Sequence, residues 1–417
     1  MDFIAVGLTS GLESPLNLKM EVNADIAIVG GGLAGCLTAV RLVNAKPNLR
    51  VILVEEKAHL GGHSTWIFRE SDISADSLSW VQPIIEKTWA SCDVNFPRQQ
   101  KTIEGNVCSF RSATLHSYLT KRLADNVFLN AKATRITESH VELQDQRVIS
   151  ARCVIDARGF TAVGPSPAGA HCGYRKYMSR EFLTTKPHGV KAPLMVDANV
   201  PQLDGLRYFR LFPWDEQRLV VEEIFYSNTP ELNAERIGRS LLSYIDRHGW
   251  KIQSSEREES GCQAMPMTSE YLTSSVGGEP LPIGFRGGYM HALTGEALPD
   301  AVRIADFLSS LEDLTTETAR SGLMRFRRSW LSRQRFYRLL NRLMFYASEP
   351  ALRYLVLQGF YTQSQDVIER FLSGRTTWSD RMRILRGRPP FPLDRALRSL
   401  TEKSVAHWPD RKASRES

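Results

Sequence analysis

Apolar positions recur along this chain in two rhythms. Short unbroken runs, DIAIV at 25–29 and RVILVEE at 50–56, read as strands of a parallel sheet covered on both faces. Between them Leu33 to Leu42 keeps helical spacing, so residues 25–56 spell strand, helix, strand. RSATLHSYLTKRLA at 111–124 predicts an amphipathic helix with Leu115, Leu119 and Leu123 on one face. ARCVIDARG at 151–159 predicts a strand ending at Asp156 and a turn at Gly159. Residues 166–275 hold β-rich runs, APLMVDANV, LRYFRLFPW and RLVVEEIFY, and 282–311 reads as strand, glycine turn and helix. The stretch 330–361 puts Leu339, Leu343 and Tyr346 on one helical face with arginines nearby.

The turn after the first strand is Gly30-Gly31-Gly32-Leu33-Ala34-Gly35. Gly30 makes the tight turn, Gly32 lets the backbone approach phosphates, and Gly35 lets the helix pack on the sheet. The helix N-terminus then presents N–H groups and partial positive charge to a pyrophosphate. Glu55, at the end of the second strand, is placed to accept from ribose hydroxyls. Its continuation to Gly61-Gly62 resembles the ExxxxxGG extension of the FAD-binding oxidoreductase superfamily, which selects FAD over NAD. In that superfamily Asp156 would end a strand returning to the nucleotide. Arg111 would reach toward the flavin, and the turn at Gly295 would aim a helix N-terminus at the ring, steadying negative charge there.

Composition adds little until it is localised. The net charge of +7 traces to Thr318–Ser348, which has no carboxylate but eight arginines. The six cysteines form no CxxC pair and predict free thiols in a reducing compartment. Nine histidines without an HExxH motif give a metal site little support. The first residues lack a basic secretory leader, and no apolar run reaches the ~20 residues of a spanning helix. The expected location is cytoplasmic, and no nucleic-acid-binding module is visible.

The ordered series GGGLAG, EE, GG-x-x-TW-x-F, VIDARG, KPHG, RLVVEE, RGGYMH-x-x-TG-x-x-LPDAV, RLLNRLMF and DRMRIL-x-GRPP resembles bacterial lycopene β-cyclases from about Asp25 to about Leu400. The resemblance implies a flavoprotein that holds reduced FAD, with NAD(P)H as reductant, and cyclises lycopene without net redox change. It implies an acid in the strand RLVVEEIFY, mapped onto Glu222; strand alternation puts Glu222 and Glu223 on opposite faces and does not choose between them. It also points to Trp66, with Phe68 and Tyr289, as ring faces for a cation, and to His291 before the TG turn. The chain departs from the family at His63-Ser64-Thr65-Trp66, where NHTW is common, and at Glu296, where an aromatic residue is common.

Taken together these readings predict an α/β protein. A Rossmann-type FAD-binding domain of the glutathione-reductase/hydroxylase-like kind would span 22–165 and 276–318. A β-rich substrate domain would cover 166–275 and a helical C-terminal region 319–405, with poorly ordered tails at 1–21 and 406–417. The lipophilic carotenoid substrate implies work at a membrane surface, on the inner face of the cell membrane, beside other carotenoid-pathway enzymes. The run 330–361 would be the interfacial helix. Rival readings are a flavin monooxygenase, a polyprenyl reductase, or a carotenoid-binding scaffold.

Overall fold

The computed structural model describes residues 20–159, 171–269, 278–386 and 391–403. Most of both expected tails and the GRPP run at 387–390 lie outside them.

Two sheets carry the molecule. The first is mostly parallel, in the order Val127–Phe128, Val51–Val54, Glu21–Val29, Val148–Asp156, His140–Leu143, Ala133–Ile136, with Leu281–Pro282 also paired to Val148–Asp156. Its central strands are apolar at almost every position because helices cover one face, Leu33–Ala45, Ser112–Leu123 and Leu298–Ser310. The expected βαβ unit is therefore present, with Glu55 one residue past its second strand.

Close approach explains the glycines. Gly30 has φ +108°, and a Cβ there would lie 2.7 Å from the backbone of Ala157 and Arg158. A Cβ on Gly35 would lie 2.0 Å from the Gly30 carbonyl oxygen. The helix thus sits against its own turn and the end of the Asp156 strand, and only hydrogen fits between them.

The second sheet has eight strands, in the order Ile252–Pro266, Cys172–Thr184, Arg218–Ser227, Leu206–Pro213, Leu194–Asp197, Lys87–Phe96, Gln99–Arg111, Thr65–Arg69. Three of these come from 65–111, which sequence pattern assigns to the nucleotide-binding unit. The substrate sheet is therefore not confined to 166–275. Those strands alternate polar and apolar residues and need a one-sided sheet, which the parallel sheet does not offer. Helix Ala234–Arg247 closes one face of the large sheet, its Ile237 and Leu241 packing in one cluster with Phe209, Val221 and Phe225. The C-terminal helices close the other over Ile224, Tyr226 and Met265.

The run 330–361 is not one exposed interfacial helix. Helix Thr316–Arg342 passes into a π-turn at Leu343–Ala347 and then a separate helix, Arg353–Phe360. Trp330, Tyr337, Leu343 and Phe345 are buried, as are Arg338, Arg342 and Arg353. Arg353 donates to the carbonyls of Met344, Phe345 and Tyr226, so its charge is spent on backbone rather than on a surface. Among the described residues no helix is long and apolar enough to cross a membrane. None of the six cysteines is in a disulfide.

Gly35→Ala is expected to lower stability by about 1–3 kcal/mol, the cost of forcing a methyl into a packed contact. Gly32→Ala, which meets nothing within 4 Å, should melt with the parent chain. Thermal unfolding of the pair checks this.

Candidate active site

The side chains that matter converge where the large sheet faces the turn before Leu298–Ser310. Along Arg218–Ser227, Val220, Glu222, Ile224 and Tyr226 take the face toward that turn, and Leu219, Val221, Glu223 and Phe225 take the other. Pattern leaves the two glutamates equivalent, and packing separates them. Glu223 is fully buried under helix Ala234–Arg247, accepting from Arg207 Nε at 2.5 Å and from Ser240 Oγ at 2.9 Å. Burial pushes its carboxyl pKa up, with Arg207 and Ser240 acting against that.

Glu222 faces the other way. Register puts Arg210 opposite it on one side and Ser179 on the other, and Ser179 in turn pairs with Glu259. Glu222 and Glu259 therefore point the same way with one strand between them, about 10 Å apart at two strand spacings. Arg210 Nη1 lies 3.3 Å from Glu222 Oε2 and 3.2 Å from Glu296 Oε1. Arg175 Nη2 approaches the same Glu296 oxygen at 3.6 Å. Burial works against the charges on both arginines, but Glu296 and Glu222 outweigh it and hold their pKa values above the usual arginine range. Across the sheet, Ser64 Oγ donates to Glu259 at 2.6 Å. Burial pushes the Glu259 carboxyl up, Ser64 lowers it, and the nearby Glu222 charge raises it again.

Two members of this cluster, Arg210 and Glu296, line an apolar cavity of about 720 Å³. Arg210, Glu296, Tyr208 and Tyr226 stand at the polar end, and Ile67, Phe68, Met195, Val356 and Phe360 are among the walls. The other expected site residues fall around it unevenly. The Trp66 ring packs on Gly61, whose Cβ would come 2.7 Å from it, and on Phe110. Tyr289 is buried against Trp330 and Phe326 in the core of the smaller sheet, outside the cavity lining, and its ring packs on Gly287, whose Cβ would come 2.6 Å from it. The Arg111 guanidinium is held by Glu86 at 2.7 Å and stacks on Trp214 at 4.3 Å. Asp156 pairs with Arg158 at 2.8 Å and Arg286 at 3.3 Å.

His291 has no nitrogen left for proton transfer. Its Nδ1 accepts from the Thr294 amide at 3.1 Å, which makes Nε2 the donor to the Phe371 carbonyl at 3.0 Å. It pins the turn that carries Glu296. Gly295 within that turn has φ +73°, and Gln263 Nε2 donates to its carbonyl at 3.0 Å.

The glycine loop has the shape of a dinucleotide cradle. The Gly31 amide donates to Glu55 Oε2 at 2.7 Å, and the Gly61 amide donates to the Gly31 carbonyl at 2.7 Å, so the two glycine turns are tied together. Positions Gly32 and Gly62 face open space, and helix Leu33–Ala45 begins without a side-chain cap. Leu33 and Ala34 open that helix. Among the described residues no cluster of His, Cys, Asp and Glu could hold a metal ion.

A family model described as lycopene cyclase protein matches residues 25–398. The chain belongs to the lycopene cyclase family. It is 31% identical over 383 residues to a lycopene beta-cyclase of Pantoea ananas, covering 91% of this chain and 99% of that protein. It is 32% identical over 390 residues to one of Pseudescherichia vulneris, covering 93% and 99%. Among solved structures, a geranylgeranyl bacteriochlorophyll reductase-like protein of Thermoplasma acidophilum superposes with TM-score 0.58 at 14% identity, over 92% of this chain and 97% of that one. A probable FAD-dependent monooxygenase of Pseudomonas aeruginosa gives TM-score 0.53 at 16% identity, over 80% and 99%. These likenesses establish the fold. Within the family, sequence reading singled out Glu296 and the segment holding Ser64 as departures but missed Arg175, Arg210 and Glu259. A cation at an inward position of an otherwise apolar strand, as in LRYFRLFP, is the signal that finds Arg210.

Glu223→Gln should destabilise by roughly 3–5 kcal/mol, because it strands Arg207 as a buried charge. Glu222→Gln should cost far less, since Arg210 keeps Glu296; denaturant unfolding of both variants distinguishes the two faces. Burial also depresses the His291 pKa to about 4. Below about pH 6.5 the unfolded histidine takes a proton that the folded one refuses. Stability therefore falls as pH drops from 6.5 toward 4, by on the order of 3 kcal/mol from this group. His291→Gln should flatten that slope in melts at pH 7.5 and 4.5.

Proposed function

We propose that the protein is a lycopene β-cyclase, an isomerase that turns the acyclic ends of lycopene into β-ionone rings, giving γ-carotene and then β-carotene. The observation that carries this reading is an apolar cavity lined in part by Glu296 and by the buried Arg210, which also holds Glu222, in a chain of this family. Reduced FAD is the proposed cofactor and NAD(P)H its reductant. The open positions at Gly32 and Gly62, the uncapped helix and Glu55 fit such a dinucleotide. When bound, the flavin supplies an electron-rich ring near the developing hydrocarbon cation.

The chain's own residues account for the proton. Glu222, Glu259 and Glu296 face Arg175 and Arg210, three acids against two fixed cations. The proposed acid form carries one proton on these three carboxyls, which leaves three acids and two arginines without net charge. Glu222 is the proposed donor to the terminal double bond. Once that proton leaves, the cluster carries one net negative charge opposite the carbocation, an attraction that exists only after transfer and so lowers the barrier. Loss of a ring proton back to the same carboxylate restores neutrality, and atoms and electrons balance. Arg210 positions Glu222, and Phe68 and the apolar walls exclude water that would trap the cation. We place the enzyme peripherally, on the cytoplasmic face of the cell membrane, where its substrate dissolves.

Anaerobic incubation with lycopene, FAD and NADPH should give a product of unchanged mass. Gain of oxygen or of two hydrogens would instead assign a monooxygenase or reductase. Glu222→Gln, loaded with flavin, should lose turnover at least 10²-fold, as removal of a general acid does.

A further inference from the structure

The cavity's far end is formed by residues that also face solvent. Leu385, Leu393, Leu397 and Leu400 line it, yet they are 42%, 72%, 59% and 55% exposed. A side chain that does both stands at a mouth. The four leucines belong to two short helices, Trp378–Leu385 and Leu393–Arg398, and the turn that follows. Water is a poor neighbour for such a rim, and isolated soluble surfaces seldom gather four large apolar side chains around an opening.

The surrounding charge says what covers it. Arg383, Arg386 and Arg398 are exposed beside the leucines. Nearby carboxylates are largely committed: Asp380 is buried and held by Arg370, Glu349 pairs with Arg395, and Glu402 with Arg338. Asp394 is an exposed acid on the second helix, and among the described residues no ion pair holds it. The rim is also rigidly hung. Arg342 donates to the carbonyls of Ser399 at 2.7 Å and Met267 at 2.6 Å, and Arg338 to Glu402 at 3.1 Å. Arginines of the long helix thus hold the mouth in place from behind.

We infer that this leucine rim docks on an anionic lipid surface, its leucines in the acyl layer and its arginines at the phosphates, so that the cavity opens directly into hydrocarbon. The inference that lipid hands the substrate to this mouth rests on the polyene reading above; the docking itself does not. The surface lies on 378–386 and 391–400, not on 330–361.

Flotation of the full chain with phosphatidylglycerol/phosphatidylcholine vesicles tests it. The parent chain and the control Met324→Glu, an exposed position elsewhere on the long helix, should float. The double variant Leu393→Glu/Leu397→Glu should bind at least tenfold less while keeping its melting temperature. Equal flotation of the double variant overturns the inference. So does a parent chain that ignores vesicles but forms a dimer dispersed by the same substitutions, which would make a second copy the occupant. Product mass from the parent chain in detergent reports on the cyclase reading separately: failure there leaves the flotation result standing.

Discussion

One guanidinium joins the parts of this site. Arg210 rises from the middle of the large sheet and lies between Glu222 of the neighbouring strand and Glu296 of the turn that leads into Leu298–Ser310. A buried cation needs compensating charge, and here the compensation comes from two different elements at once. The sheet and the turn are thereby drawn to a common point, and the cavity gains a polar end. His291 and Gln263 hold the turn from its other side, so the position of Glu296 is fixed by both backbone and charge.

The same arrangement explains why the polar end can sit in so apolar a place. Its walls are leucine, valine, methionine and aromatic carbon, a setting in which a lone carboxylate would be neutralised. Clustering acids with arginines sets charge against charge, so these side chains find partners where water is scarce. Glu223, one residue away along the strand, shows the alternative use of the same side chain: paired with Arg207 under a helix, it ties sheet to helix.

How much of this the sequence discloses depends on whether a feature is local. The glycine turn, its strand and helix, and Glu55 are legible because each obeys a short-range steric rule, and the Gly35–Gly30 contact is that rule seen in space. The choice between Glu222 and Glu223 is not legible, because alternation gives two faces and only tertiary packing says which is covered by Ala234–Arg247. Arg175, Arg210 and Glu259 escape notice because they come together across four strands. The arginines of 330–361 mislead for a related reason: Arg338, Arg342 and Arg353 look like surface charge until their distant partners are known, the Glu402 carboxylate for the first and backbone carbonyls for the other two. Resemblance to a family supplies the missing long-range information where motifs survive, as at the TG turn.

Finally, the chain changes sheets four times: after Val54, after Arg111, after Asp156 and after Pro266. Neither sheet is therefore encoded by one uninterrupted stretch. The half that shapes the cavity could not be grafted onto a different nucleotide-binding partner by a single splice. Clamshell rotation of one half about the other would have to bend four connections together, which leaves small adjustments among the C-terminal helices as the cheaper way to admit a long, stiff molecule.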